Sequence, residues 1–229
     1  MRRAGPEVLH VDNHLLVVRK PAGQPSVPDD SGDLSLLDEA RAWVEVEFDK
    51  PGRAFLGVVQ RLDRPVSGVL VFARTSKAAE RLTRQLKEGG MEKRYWAITR
   101  SAPDPPRGQL EQWLRKDRQR NVVRVVAPES EDSKRARTTW RVLEESAGRC
   151  LLELQPVTGR SHQLRVAMSS LGRPLLGDLK YGASEPLSDR SIALHARRLE
   201  LDHPTRQERL AFTAEVPALP EWRFEETRA

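Results

Sequence analysis

The fold is decided by Gln60–Thr75, which reads QRLDRPVSGVLVFART. Within it, Val69–Phe72 is a short run of β-branched, aliphatic and aromatic residues, which predicts a buried strand. The first half carries three charges in four residues, Arg61, Asp63 and Arg64, followed by a proline that lacks a backbone donor. This half is therefore predicted to be a charged loop that leads directly into a core strand.

Asp63 is the candidate catalytic group of this loop. A loop fixed to a core strand can hold a carboxylate rigidly at the edge of a cleft. Arg61 and Arg64 lie on either side of Asp63 and would favour its ionised form through Coulomb attraction. The charge pattern alone is more typical of a structural ion-pair loop on the surface, so both interpretations remain open at this point.

Composition bounds the class of protein. The chain has 229 residues, of which 38% are hydrophobic, enough for one large domain or two small ones. No apolar run approaches the length of a membrane span, and no apolar segment follows the N-terminal arginines, so neither a membrane helix nor a secretory signal is expected. The single cysteine, Cys150, excludes an internal disulfide and a multi-cysteine metal site. These features predict a cytoplasmic protein.

The charge balance points to a polyanionic partner. The net charge is +6 and the pI is near 9.8, with lysine and arginine spread along the chain. Arginine predominates among the cations, and its planar fork suits phosphate groups and stacks on bases. The signal is weak by itself, because many small enzymes are equally basic.

Short segments around the central stretch predict the remaining elements. Val8–Lys20 reads as a hairpin around an Asp-Asn turn. Helices are predicted at Leu34–Phe48, capped by Asp33 or Ser35, after Thr75 up to Gly89, and after Ser161 up to Gly172. Strands are predicted at Met91–Arg100, Leu110–Lys116, Asn121–Ala127 and Thr138–Glu145. Arg115–Arg120 and Lys134–Arg137 are predicted to be basic loops that either contact RNA phosphates or only aid solubility, and Glu221–Ala229 is expected to be a frayed tail.

Five segments in order resemble the RluA family of RNA pseudouridine synthases. The central stretch is similar to the family's catalytic-aspartate motif H-R-L-D-x-x-T-S-G-L-L, and Lys20–Gly23 matches K-P-x-G. Lys93–Ala97 matches K-x-Y-x-A. Cys150–Gly182 contains a match to P-x-T-G-R-T-H-Q-I-R and to the H-P-I-x-G-D-x-x-Y-G that follows it, and Ser191–Pro217 resembles the family's closing strands.

The resemblance implies an α+β fold with a mixed, largely antiparallel central sheet flanked by helices. It implies one catalytic domain over residues 1–229, with its core at about 8–217 and no separate RNA-binding domain ahead of it. The implied activity is isomerisation of specific uridines in ribosomal or transfer RNA to pseudouridine. The target base would be flipped into a basic cleft. No cofactor or metal is expected, and the protein is expected to act as a monomer away from membranes.

The resemblance also assigns roles to individual residues. Asp63 is implied to be the catalytic carboxylate, Arg165 to lie beside it, and Tyr95 to lie against the target base. Without the resemblance, Tyr95 would more often be a core residue. The remaining expected substrate-binding residues are Arg61, Lys93, Arg160 and His162, the last two being placed near a helix start that favours anions.

Two departures from the family pattern motivate a competing hypothesis. Gln60 replaces the usual histidine before R-L-D, and Val66 replaces the usual threonine of T-S-G. An RNA-binding protein that kept the fold and lost catalysis would tolerate both changes. A metal-dependent phosphoesterase is a third hypothesis, but the acidic residues are not clustered for two metals. His195 and His203 match no compact metal-ligand spacing and are predicted to be structural.

Overall fold

The computed structural model describes residues 5–228 of the chain. No helix among these residues is long and apolar enough to cross a membrane. The α-helices of this part are α1 (Leu36–Glu47), α2 (Ser76–Glu88) and α3 (Gln163–Ser170). The strands are β1 (Glu7–Val11), β2 (Leu15–Lys20), β3 (Gly57–Val58), β4 (Ser67–Ala73), β5 (Glu92–Thr99), β6 (Arg107–Asp117), β7 (Val122–Val126), β8 (Lys134–Ser146), β9 (Arg149–Pro156), β10 (Leu194–Asp202) and β11 (Arg209–Thr213).

The chain divides into two compact units. Unit 1 runs up to Glu92 and also contains Ala196–Glu215, whereas unit 2 contains Lys93–His195 and the chain from Val216 onward. Each unit has its own hydrophobic clusters. The predicted α+β class with a mixed, largely antiparallel sheet is confirmed.

In unit 1, β4 is the central strand, as the sequence predicts. All seven of its residues are buried, so the strand is longer than the predicted Val69–Phe72. Strands β1, β2, β4 and β10 lie side by side in that order, with β3 paired to β4 and β11 paired to β10. The register of β2 against β4 runs antiparallel from Leu15↔Ala73 to Lys20↔Gly68. This register places the K-P-A-G segment beside the start of β4, next to the Asp63 loop.

The two helices of unit 1 begin and end at the residues expected from their capping groups. The Ser35 hydroxyl accepts a hydrogen bond from the Asp38 amide (3.1 Å) and caps α1. The Thr75 hydroxyl accepts from the Ala78 amide (3.2 Å) and caps α2. Helix α2 ends at Gly89, whose φ of 79° lies in the left-handed region that glycine tolerates.

The core of unit 1 is assembled from two distant parts of the chain. Leu199, Leu201, Phe212 and Ala214 of β10, β11 and the residues after β11 pack in one cluster with apolar residues of β2, β4 and α2. Gly68 marks a close approach: its φ is 120°, and an added Cβ would lie 2.4 Å from the carbonyl oxygen of Ala196.

In unit 2, five strands lie in the order β5-β9-β8-β6-β7, and all four neighbouring pairs run antiparallel. The prediction of a loop at Lys134–Arg137 is wrong, because these residues form the first part of β8 and pair with β6. Ala136, Thr138 and Trp140 are the alternating buried residues of this strand, but the run of cations obscures this pattern in the sequence.

The predicted frayed tail is also wrong over most of its length. Residues Pro220–Trp222 form a short 3-10 helix, and Trp222 and Phe224 are each 2% exposed. Both rings pack in a cluster with Trp96, Ile98 and Leu151 of the unit 2 sheet. Of the predicted tail, only Ala229 lies outside the described residues.

Candidate active site

Asp63 lies in a loop that backbone hydrogen bonds fix from both sides. The Asp63 carbonyl accepts a hydrogen bond from the Val66 amide (3.0 Å), which closes a turn immediately before β4. The Ser26 hydroxyl donates to the Leu62 carbonyl (2.7 Å) and accepts from the Leu62 amide (3.1 Å). Leu62 is buried while Asp63 is half-buried. The carboxylate is thus presented by a backbone with little freedom, as the charged-loop prediction required.

Lys20 is the residue of this region that the sequence analysis missed. Its side chain is fully buried, and its ammonium group donates to the carbonyls of Pro21 (2.8 Å), Gln24 (2.7 Å) and Arg64 (3.1 Å). Burial lowers the pKa of Lys20 to about 7, and the nearby Asp63 carboxylate opposes that shift. Lys20 therefore ties the K-P-A-G turn to the Asp63 loop. The match of Lys20–Gly23 to K-P-x-G is the feature of the sequence that singles out this lysine.

The two arginines beside Asp63 differ in their surroundings. Arg61 is exposed. The Arg64 guanidinium forms an ion pair with Asp33 and donates to the Ser31 hydroxyl (2.8 Å). From the sequence, Arg64 is expected only to favour the ionised form of Asp63 through its charge. In the structure, Arg64 also anchors the loop ahead of α1.

In unit 2, Lys93 and Tyr95 lie two residues apart on β5 and so point to the same face of the sheet. Both are half-buried, and Tyr95 is the Cα partner of Leu154 on β9. Burial lowers the pKa of Lys93. A Cβ added to Gly159 would lie 3.8 Å from the Lys93 ammonium, so the T-G-R turn passes close to this lysine.

Arg165 is held in place by a bidentate ion pair within unit 2. Its Nε and one terminal nitrogen donate to the two carboxylate oxygens of Asp178, each at 2.7 Å. Arg165 is 6% exposed and Asp178 is 1% exposed. The guanidinium carbon also lies 4.9 Å from the centre of the Tyr181 ring. Asp178 and Tyr181 both belong to the G-D-L-K-Y-G segment. The match of this segment to the family motif does not by itself assign a role to either residue.

His162 and Arg160 lie just ahead of α3. The helix begins at Gln163 rather than at a serine cap: His162 is its N-cap residue, with a φ of 52° and no capping side-chain hydrogen bond. The His162 Nδ1 lies 2.6 Å from the Tyr181 hydroxyl, which accepts from the Val123 amide (2.8 Å). Arg160 is exposed, and its Nε donates to a backbone carbonyl of β8 (3.0 Å). His162 and Arg165 thus both contact Tyr181.

The two histidines predicted to be structural are buried. His203 contacts the Asp12 carboxylate (3.0 Å), which also accepts from the amides of His14 and Leu15. These contacts hold the pKa of Asp12 well below its usual range, against the opposing effect of burial. His195 packs edge-on against Trp222. Residues 5–228 contain no group of three or more His, Cys, Asp or Glu side chains that could hold a metal.

Comparison with known proteins supports the family resemblance found in the sequence. Residues 14–170 match the family model described as RNA pseudouridylate synthase. An uncharacterized RNA pseudouridine synthase of Zymomonas mobilis is 36% identical over 212 residues, which cover 92% of each chain. The dual-specificity RNA pseudouridine synthase RluA of Escherichia coli K12 is 36% identical over 212 residues, covering 90% of this chain and 91% of that one.

A solved structure of a human protein has a similar fold. Human RNA pseudouridylate synthase domain containing 4 superimposes with a TM-score of 0.77 and 28% identity, covering 93% of this chain and 89% of that one. The matches in sequence and in fold extend over nearly the whole chain. The chain belongs to the RluA family of RNA pseudouridine synthases and is an isomerase that acts on RNA.

Proposed function

We propose that this enzyme isomerises specific uridines in ribosomal or transfer RNA, with Asp63 as the catalytic carboxylate. The observation that carries the proposal is the way Asp63 is held. Its loop is closed by the Val66 amide, tied to Ser26 through Leu62, and followed by the fully buried β4. Such preorganisation is what a reacting carboxylate requires, since small displacements reduce rates strongly.

The chemistry needs one carboxylate and no redox step. The bond between ribose C1′ and the base N1 breaks, the base turns, and a bond between C1′ and C5 forms, while C5 loses a proton and N1 gains one. An ionised Asp63 suits either of two roles. It attacks C1′ as a nucleophile, or it takes a ribose proton as the base departs. A target inside a helix must first be flipped out of the stack.

The other predicted residues serve binding and positioning in this proposal. Tyr95 stacks on the flipped base and takes part in removal of the C5 proton. For Arg165, which Asp178 fixes, we propose the role that the family resemblance implies, that of positioning the catalytic carboxylate. The phosphates and sugars near the target are bound in a basic cleft by a group of four side chains, Arg61, Lys93, Arg160 and His162. The enzyme acts in the cytoplasm as a monomer with one catalytic domain.

The test is tritium release from RNA labelled at uridine C5. Total tRNA and rRNA transcripts carrying 5-tritiated uridine are incubated with the wild type and with Asp63→Asn. Loss of at least about 100-fold in rate is expected for Asp63→Asn, because its amide neither attacks nor accepts a proton. Asp30→Asn is the matched control, since Asp30 is exposed and near in sequence.

Two outcomes would overturn the proposal. Equal rates for Asp63→Asn and Asp30→Asn would remove the role of Asp63. Absence of release by the wild type on all RNAs, with RNA binding retained, would favour the RNA-binding hypothesis motivated by Gln60 and Val66. Mapping pseudouridines in cells with and without the gene identifies the substrate when release is observed.

A further inference from the structure

One end of the unit 2 sheet has a covered face and an open face. Helix α3 covers the first, where Val166 packs in a cluster with Leu114, Val123 and Ala136 of β6, β7 and β8. Because side chains alternate along a strand, the residues between these lie on the opposite face. Tyr95 belongs to the covered side, since its Cα partner Leu154 is opposite Trp140, four residues from Ala136 on β8.

The open face carries arginine as its only basic residue type. We call it the arginine face, and its six arginines on β6, β7 and β8 are Arg107, Arg115, Arg124, Arg135, Arg137 and Arg141. The acidic residues of these three strands on this face are Glu111, Asp117 and, beyond the bulge of β8, Glu144, and Glu153 of β9 lies opposite Arg141. Six arginines against these four carboxylates leave the face with a net positive charge.

The strand register brings arginines directly opposite each other. Arg107 is the Cα partner of Arg141, and Arg115 is the Cα partner of Arg124. Like charges in such cross-strand positions destabilise a sheet. Two such pairs on one face lower the stability of the sheet. An anionic partner that binds both arginines of a pair would offset this repulsion.

Three of these six guanidinium groups have no acidic partner in the described part of the chain. Arg135 forms an ion pair with Glu111 (2.7 Å), and Arg141 forms one with Glu153 of β9 (2.8 Å). The half-buried Arg137 lies directly opposite Glu111 on β6 and attracts that carboxylate. Among residues 5–228, no side-chain hydrogen bond or ion pair engages the guanidinium groups of the remaining three, Arg107, Arg115 and Arg124, and all three are exposed.

We propose that the arginine face is a second RNA-binding surface, which holds the phosphate backbone of RNA that flanks the target uridine. From Arg107 to Arg115 the face spans about 26 Å along β6, enough for several nucleotides. Trp113 is half-buried on this face, with Arg135 as its partner on β8. An aromatic ring among arginines suits RNA better than an acidic protein, because both groups stack on bases.

Exposed basic residues lie around the β7 edge, between this face and the side of the sheet that carries Tyr95. Strand β7 is the last in the order of unit 2, and the turn before it carries the exposed Arg118 and Arg120. Beyond the turn, on the covered side, Lys116 and Lys134 are also exposed. RNA can thus pass around the β7 edge. The inference rests on RNA being the substrate, and its test measures binding alone, so the two proposals can fail separately.

The experiment measures binding of a fluorescein-labelled 20-nucleotide polyuridine by anisotropy at several salt concentrations. The variant replaces the three arginines without acidic partners: Arg107→Gln, Arg115→Gln and Arg124→Gln together. The control removes the same charge from an exposed basic patch on α2: Lys77→Gln, Arg84→Gln and Lys87→Gln together. Three lost phosphate contacts should reduce the magnitude of the log–log salt slope by about 2 and weaken binding about 100-fold at 0.1 M salt.

Each outcome decides the proposal. A large loss in the arginine-face variant with a small loss in the control supports it, provided that thermal melting shows the variant to be folded. The melting temperature should stay equal or rise, since a like-charge pair has been removed. Equal losses in both variants would show that only the net charge of the protein matters, and this would overturn the proposal. Equally tight binding of polyglutamate by the wild-type protein would instead assign the face to an acidic protein partner.

Discussion

Replacing Lys20 by methionine tests how the Asp63 loop is held. Methionine keeps most of the volume of the buried side chain but removes the three N–H donors that bind the carbonyls of Pro21, Gln24 and Arg64. Three partly buried carbonyls lose a donor, at a cost of up to about 1–3 kcal/mol each, and less for that of Arg64, which still accepts from the Gly23 amide. Removing a buried charge offsets part of that cost. We expect a less stable protein whose Asp63 loop is also less well positioned.

The pH dependence of the free energy of unfolding is a second test of Lys20, and its size follows from the pKa of this residue. Burial lowers the pKa of Lys20 to about 7 in the folded state, whereas the unfolded value is 10.5. Between these values the unfolded chain binds more protons than the folded one, so the free energy of unfolding rises with pH. From these two values, Lys20 should add about 2 kcal/mol between pH 7 and pH 9. Lys20→Met should lose this increment.

The assay is urea unfolding of the wild type, Lys20→Met and the exposed control Lys77→Met at pH 7, 8 and 9. Comparing the three proteins cancels the contributions of all other titrating groups. The wild type and Lys77→Met should gain about 2 kcal/mol more than Lys20→Met over this range. The same pH slope in all three proteins would refute the reasoning. It would mean that the three carbonyls keep the ammonium charged despite its burial.

Three further variants test features of the core. Asp178→Asn removes the carboxylate that binds two nitrogens of the buried Arg165, so urea unfolding should report a loss of about 3–5 kcal/mol; a loss below 1 kcal/mol would contradict this. Gly68→Ala forces a Cβ against the backbone of Ala196 at a φ of 120°, so its melting temperature should fall sharply and an unchanged value would count against that packing. Burial raises the pKa of the Cys150 thiol to about 11, so a thiol reagent at pH 8 should modify it only as fast as the protein unfolds, and rapid modification of the folded protein would show otherwise.

Local patterns in the sequence predicted the elements whose signals are themselves local. The hairpin, the buried β4 and the caps of α1 and α2 depend on residues within a few positions of each other, such as Thr75 and Ala78. The charged loop that presents Asp63 was predicted for the same reason. Its match to a family motif supplied a role that the charge pattern alone left open.

The features that were missed depend on contacts between distant residues. The K-P-x-G match singles out Lys20, but it does not show that the ammonium group is buried, because one of its acceptors, the carbonyl of Arg64, is 44 residues away. Arg165 is likewise fixed by Asp178 from a separate segment. Trp222 and Phe224 lie in a charged C-terminal run that resembles a tail, yet they pack on strands formed much earlier in the chain.

The discontinuous core of unit 1 has a consequence for synthesis on the ribosome. Strands β1 to β4 emerge more than 100 residues before β10 and β11, which supply Leu199, Leu201 and Phe212 to the same cluster. At about 5–20 residues per second, the early strands wait about 5–20 s for their partners. During that interval the apolar edge of β4 is exposed to other nascent chains. We expect chaperone binding to this enzyme to be concentrated in that window and to end once residues near 215 have left the exit tunnel.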